Sequence, residues 1–179
     1  MAGGPDSQRF QAEVLVHLDA AHNLARWLLR DPADAEDVLQ EALLRAFSYF
    51  PSFRGTNARA WLLQIVRNTA YAALKKRRGI HMVNLGADTE AESGNMELAD
   101  PGDDPEVQLI RSEAQREIDT LLQQLPLDLR ECVILRELEE LSYKEIAEII
   151  GAPIGTVMSR LWRARRLLSK AASAGAYAS

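Results

Sequence analysis

Residues 142–168 read SYKEIAEIIGAPIGTVMSRLWRARRLL, a segment whose spacing predicts two helices joined by a tight turn. Ser142 and Glu145 stand three apart, which predicts a capping box. The serine hydroxyl would accept from the Glu145 N–H while the Glu145 carboxylate reaches back to the Ser142 N–H. Ile146, Ala147, Ile149 and Ile150 supply an apolar face, and Gly151 offers the left-handed conformation that ends a helix. Pro153 suits the first turn of the next helix, where its missing N–H costs nothing. Val157, Leu161, Ala164 and Leu168 then recur at spacings of four, three and four, which marks a buried stripe. The opposite face carries Gly155, Ser159, Trp162, Arg163 and Arg166, flanked by Thr156, Met158, Arg160 and Arg165. Residues 153–170 contain five basic side chains (Arg160, Arg163, Arg165, Arg166 and Lys170) and no Asp or Glu. A solvated amphipathic helix would account for the second helix by itself. The capped first helix and the glycine–proline turn favour a helix-turn-helix that reads duplex DNA in the major groove.

The rest of the chain shows where such a segment sits. With 179 residues and a net charge of −5, the protein is no polycation, but its charge is segregated. Residues 54–78 hold Arg54, Arg59, Arg67, Lys75, Lys76, Arg77 and Arg78 without an acid. Residues 88–106 hold Asp88, Glu90, Glu92, Glu97, Asp100, Asp103, Asp104 and Glu106 without a base. Two basic surfaces separated by an acidic tether imply two nucleic-acid contacts on one protein.

Helical spacing recurs throughout, and no stretch alternates as a strand would. A first helix is expected over residues 10–29, with Val14, Leu18, Ala21, Leu24, Ala25 and Leu28 on its core face. A second is expected from Asp34, as cap, to Phe50, with Val38, Leu39, Ala42, Leu43, Ala46, Phe47 and Phe50 inward. A loop over 52–57 leads to a third helix over 58–78. From 79 to 104 the composition turns to Gly, Asp, Glu, Ser, Asn and Pro, which predicts a flexible linker. A further helix runs from Pro105 through Leu109, Ile110 and Ile118 to Leu125, and another, capped by Asp128, continues to about Glu139. The expected fold is all-α: two small helical domains, 1–79 and 105–179, joined by an acidic linker over 80–104.

Other chemistry finds little support. The single Cys132 lies in an apolar run and reads as a buried structural thiol, not a disulfide partner. His17, His22 and His81 do not cluster at ligand spacings, so no metal is expected, and no glycine-rich loop or catalytic triad suggests an enzyme or a cofactor. The opening MAGGPDSQRF has no basic start followed by an apolar run, and nothing later suits a bilayer span. A cytoplasmic protein without membrane insertion is the expectation.

The order of these pieces resembles a known family. Residues 34–41 (DAEDVLQE), Phe53-Arg54-Gly55 through Trp61-Leu62, and Ile65-Val66-Arg67-Asn68-Thr69 leading to the 75–78 basic run are similar to the promoter-melting domain, region 2, of bacterial sigma factors. Leu125-Pro126, Arg130-Glu131, residues 143–147 (YKEIA) and residues 153–165 (PIGTVMSRLWRAR) resemble their upstream-element-binding domain, region 4. The short linker, with no domain between, is similar to the extracytoplasmic-function (ECF, group IV) type.

That resemblance implies roles for particular residues. Asp37, Gln40 and Glu41 would face the clamp coiled coil of core RNA polymerase, with the flap as a second polymerase contact. Phe53, Arg54, Asn57, Arg59 and Trp61 would belong to the loop that captures bases of the −10 element. Arg67, Asn68 and Tyr71 would line the strand-reading face, with Lys75, Lys76, Arg77 and Arg78 on phosphates. Arg130, Thr156, Met158, Ser159, Arg160, Trp162, Arg163 and Arg166 would contact the −35 duplex. Relatives commonly carry Lys or Arg at the place of Met158. The family also implies promoter DNA as a partner, an anti-sigma factor, and a monomer when free. A stand-alone helix-turn-helix regulator is the alternative, but it leaves the basic third helix without a purpose.

Overall fold

The computed structural model describes residues 4–83 and 105–176, with side chains described at 4–79 and 112–174. The chain is all-α, and no strand occurs among the described residues. The helices are α1 (Pro5–Glu13), α2 (Leu18–Leu28), α3 (Pro32–Tyr49), α4 (Ala58–Val83), α5 (Pro105–Gln124), α6 (Leu127–Val133), α7 (Tyr143–Ile150) and α8 (Ile154–Ala176). In the first unit α2, α3 and α4 pack on one another around Leu24, Leu28, Val38, Ala42, Leu62, Leu63 and Val66. In the second, α6, α7 and α8 enclose Ile134, Leu135, Ile146, Ile149, Val157 and Leu161. The two units do not stand apart. Helix α4 lies on α7 and α2 on α6, so their buried side chains form one continuous core.

Several boundaries differ from expectation, each for a local reason. The helix expected over 10–29 is broken: α1 ends at Glu13, a 3₁₀ turn occupies Leu15–His17, and α2 starts at Leu18. The break turns Leu18 outward, while Val14 stays fully buried. Helix α3 is capped by Asp31, not Asp34. The Asp31 carboxylate accepts from the N–H groups of Ala33 and Asp34, and Pro32 occupies the first helical position. Phe47, expected inside, is exposed. Helix α4 runs past Arg78 to Val83, so it enters the stretch expected as linker. The acidic residues of 84–104, and the side chains of His81, Glu106, Leu109 and Ile110, lie outside the described residues. Asp128 sits in the first turn of α6 without capping it. The α6 chain then widens into a π-helical turn, Ile134–Leu138, closed by the Glu139 N–H donating to the Ile134 carbonyl at 3.1 Å.

The helix-turn-helix follows its expected chemistry closely. The Ser142 hydroxyl accepts from the Glu145 N–H at 3.2 Å, and the Glu145 carboxylate accepts from the Ser142 N–H at 2.8 Å. Gly151 closes α7 at φ 66°, a conformation that costs an L side chain about 1 kcal/mol or more. Replacing Ser142 with alanine should lower stability by about 1 kcal/mol, read by thermal melting. Its pH dependence has a definite sign. The Ser142 N–H and then its hydroxyl hold the Glu145 carboxyl below its ordinary value of 4.5. The stabilisation is therefore complete above that value and disappears as pH falls through the lower folded value. The melting difference between wild type and Glu145→Gln should shrink over that acid window.

Among the described residues no helix is long and apolar enough to cross a membrane. Nor does any group of three or more His, Cys, Asp and Glu side chains there suit a metal ion. Cys132 is fully buried, and burial raises its thiol to about 11, so it stays protonated at neutral pH.

Candidate polymerase and nucleic-acid interfaces

Helix α3 presents a continuous outward stripe. Asp37, Gln40 and Glu41 are exposed, and Glu41 accepts from Arg45 one turn on at 2.5 Å. The same stripe continues into Leu44, 65 % exposed, and Phe47, 51 % exposed, whose ring meets Phe10 edge-on at 5.2 Å. An acidic patch that runs into bare apolar side chains suits a protein partner better than DNA. Leu44 is hard to single out in the sequence because its neighbour Leu43 fits the core stripe, and one residue along a helix turns a side chain by 100°.

The loop over 52–57 is organised around aromatic rings. Phe53 packs on Trp61 at 4.6 Å and stacks on Phe50 at 6.1 Å. Gly55 lies beneath Phe53, and a Cβ there would come within 2.8 Å of the ring. Arg54 donates to the carbonyls of Pro51 and Phe53 at 2.7 and 3.1 Å and remains exposed. Trp61 is thus half-buried and anchors the loop. Asn57 caps α4 by accepting from the Ala60 N–H at 3.0 Å.

The face of α4 expected to read a single strand is occupied by the second unit. Arg67 reaches Glu131, donating from Nε at 2.9 Å and from Nη2 at 3.2 Å. Arg160 of α8 donates from Nη1 to the same carboxylate at 3.2 Å, and its Nε lies 3.8 Å from Asp128. Glu131 is fully buried, so one carboxylate balances two guanidinium groups away from water. Tyr71 lies under Arg67, ring centroid 4.0 Å from the guanidinium carbon, and burial with Glu131 nearby raises its phenol above the ordinary value. A second carboxylate, Glu139, accepts from Arg59 at 2.8 Å and from Asn23 at 2.6 Å. Glu145 accepts from Asn57 at 2.9 Å. Asn68, Lys75, Lys76 and Arg78 are exposed, and Arg77 pairs with Asp34 across to α3. Nothing in the sequence pairs these acids of the second unit with the first, because pairing over more than sixty residues leaves no local signal.

Arg130 is the clearest departure. It does not face outward but is buried, donating to the carbonyls of Leu122, Gln123 and Leu125 at the end of α5 and to Trp27 near the end of α2. A cation there satisfies orphan carbonyls of one helix from each unit. The remaining −35 candidates lie on α8. Met158, Ser159, Trp162, Arg163 and Arg166 are exposed, Thr156 is half-buried, and Arg166 sits over the Trp162 ring at 4.8 Å.

A helical bundle carrying an aromatic-anchored loop and a basic helix, followed by a helix-turn-helix, defines a two-part DNA-binding protein. The comparisons with known proteins fix which kind. Residues 14–80 match the model of Sigma-70 region 2, and residues 115–168 match that of Sigma-70, region 4. The chain is 36 % identical over 169 residues to the RNA polymerase sigma-H factor of Pseudomonas aeruginosa, covering 93 % of this chain and 87 % of that one. It is 40 % identical over 148 residues to the ECF RNA polymerase sigma-E factor of Haemophilus influenzae, covering 81 % and 77 %. Among solved structures, the sigma factor RpoE of Bartonella quintana, in complex with the anti-sigma factor NepR, aligns with a TM-score of 0.76 at 32 % identity, covering 91 % of this chain and 96 % of that one. CnrH, solved with the cytosolic domain of CnrY, shares the fold with a TM-score of 0.64 at 24 % identity. The chain belongs to the ECF sigma factors of the sigma-70 family. Such proteins are not enzymes; they bind core RNA polymerase and direct promoter-specific initiation.

Proposed function

We propose that three surfaces of this sigma factor divide the work. The stripe Asp37, Gln40, Glu41, Leu44 and Phe47 docks on the polymerase clamp coiled coil, and the second unit meets the flap. The outer face of α8 takes the −35 duplex through Met158, Ser159, Trp162, Arg163 and Arg166, with Thr156 at its edge. The loop over 53–59 and the α4 residues Trp61, Arg67, Asn68 and Tyr71 take the −10 strand, with Lys75, Lys76, Arg77 and Arg78 along its phosphates. The functional units are 1–79 and 105–179, joined through 80–104. One observation carries this reading: the outward face of α8 bears Trp162, Arg163 and Arg166 in a stretch, 153–170, that contains no acidic side chain. Arg130 takes no DNA role here, since its guanidinium is spent on helix ends.

Control by an anti-sigma factor follows from kinship. The Bartonella sigma factor is similar to this chain and was solved with such a partner. Run-off transcription on a genomic promoter pool, with purified core polymerase and with or without this protein, tests the assignment. Discrete new starts that share two upstream elements are the expected result. A folded protein that neither binds core polymerase nor yields new starts, yet binds an operator as a dimer, would be a stand-alone regulator.

A further inference from the structure

Helix α8 carries an outward feature that its basic charge does not explain. Ile154, Met158 and Trp162 succeed one another at intervals of four and are 45, 53 and 59 % exposed. They form an apolar ribbon along the start of the helix. The polar side chains beside them are largely committed elsewhere. Arg160 turns inward to Glu131 and Asp128, both within its own unit, so the separation of the two units would not release it. Arg165 is tied to Glu137 at 3.1 Å. Ser159 donates its hydroxyl proton to the Thr156 carbonyl at 3.1 Å.

The geometry points to duplex readout through thymine methyl groups, with Met158 and Trp162 as the specificity-determining side chains. The major groove offers one apolar mark, the C5-methyl of thymine, and a bare side chain is the group that senses it. Arg163 and Arg166 on the same outward face supply the charge complementarity that brings a phosphate backbone to this ribbon and not to a protein. Arg166, laid over the Trp162 ring, restrains an indole that stays exposed. Phosphate contacts then set register and salt dependence, while the methyl contacts choose the sequence. This inference rests on α8 being the −35 reader.

The test uses the full chain and duplexes enriched from a random-sequence pool. Each thymine of the enriched element is replaced in turn by deoxyuridine, which removes only the methyl group. At one or two positions the loss should be about fourfold, the worth of roughly one buried methylene equivalent. That loss should vanish in Met158→Ala or Trp162→Ala, and the slope of log affinity against log salt should not change with deoxyuridine. Equal affinity for thymine and deoxyuridine at every position overturns the inference while leaving α8 as a DNA reader. Failure to enrich any duplex removes the reader itself, and the inference with it.

Discussion

Replacing Glu131 with alanine should lower stability by about 3 kcal/mol, at the lower end of the cost of breaking a buried ion pair. In a chain of this size that corresponds to a fall of roughly 6–12 °C in melting temperature. The carboxylate is fully buried and is the acceptor for both Arg67 and Arg160. Its removal leaves two guanidinium groups facing each other with little water, since their side chains are only 18 and 20 % exposed. Their partial exposure is why the lower end applies. Glu131→Gln keeps acceptor oxygen and volume and should lose less. The pair with Arg160 lies inside the second unit, whereas the pair with Arg67 crosses between units. A double-mutant cycle on Glu131 and Arg67 therefore isolates the cross-unit part, with an expected coupling of about 1 kcal/mol or more. A melting curve unmoved by Glu131→Ala would show that the three groups do not form the buried cluster.

Reversing charge at Asp37 and Glu41 together should weaken binding to core polymerase by on the order of a hundredfold. Both side chains are exposed and contribute nothing to the core. Among the described residues the pairing lost is Glu41 with Arg45, an exposed pair one turn apart, which is worth a few tenths of a kcal/mol. The melting temperature should stay within about 1 °C of wild type, which separates an interface effect from a folding effect. Fluorescence anisotropy with labelled protein and unlabelled core enzyme measures it. Unchanged affinity would remove the α3 stripe from the polymerase interface.

Residue order makes legible whatever depends on neighbours a turn apart. The Ser142–Glu145 box, the left-handed Gly151 and the spacing of Val157, Leu161, Ala164 and Leu168 are local, and the structure reproduces them, with Val157, Leu161 and Ala164 buried and Leu168 half-buried at the end of the stripe. The break at 14–17 is hidden in the sequence because a 3₁₀ turn preserves apolar content while shifting the phase of the helix, which is how Leu18 comes to face water. Asp31 is hard to tell from Asp34 as a cap, since both are capping residues only three positions apart. Phe47 fits an apolar period yet lies outside, since period alone says which residues share a side, not what covers it. The site shows the same division. The basic and aromatic members announce themselves by type, but the pairing of Glu131, Glu139 and Glu145 with Arg67, Arg59 and Asn57 exists only once the fold brings the two units together.

Under the proposed −10 role, those three carboxylates would make the single strand a displacing ligand rather than a first arrival. A strand that used Asn57, Arg59 and Arg67 must evict groups covalently attached to the same chain, which remain within reach after eviction and rebind at a high effective molarity. Every tenfold preference of the protein for its self-paired form raises the apparent dissociation constant for such a strand tenfold.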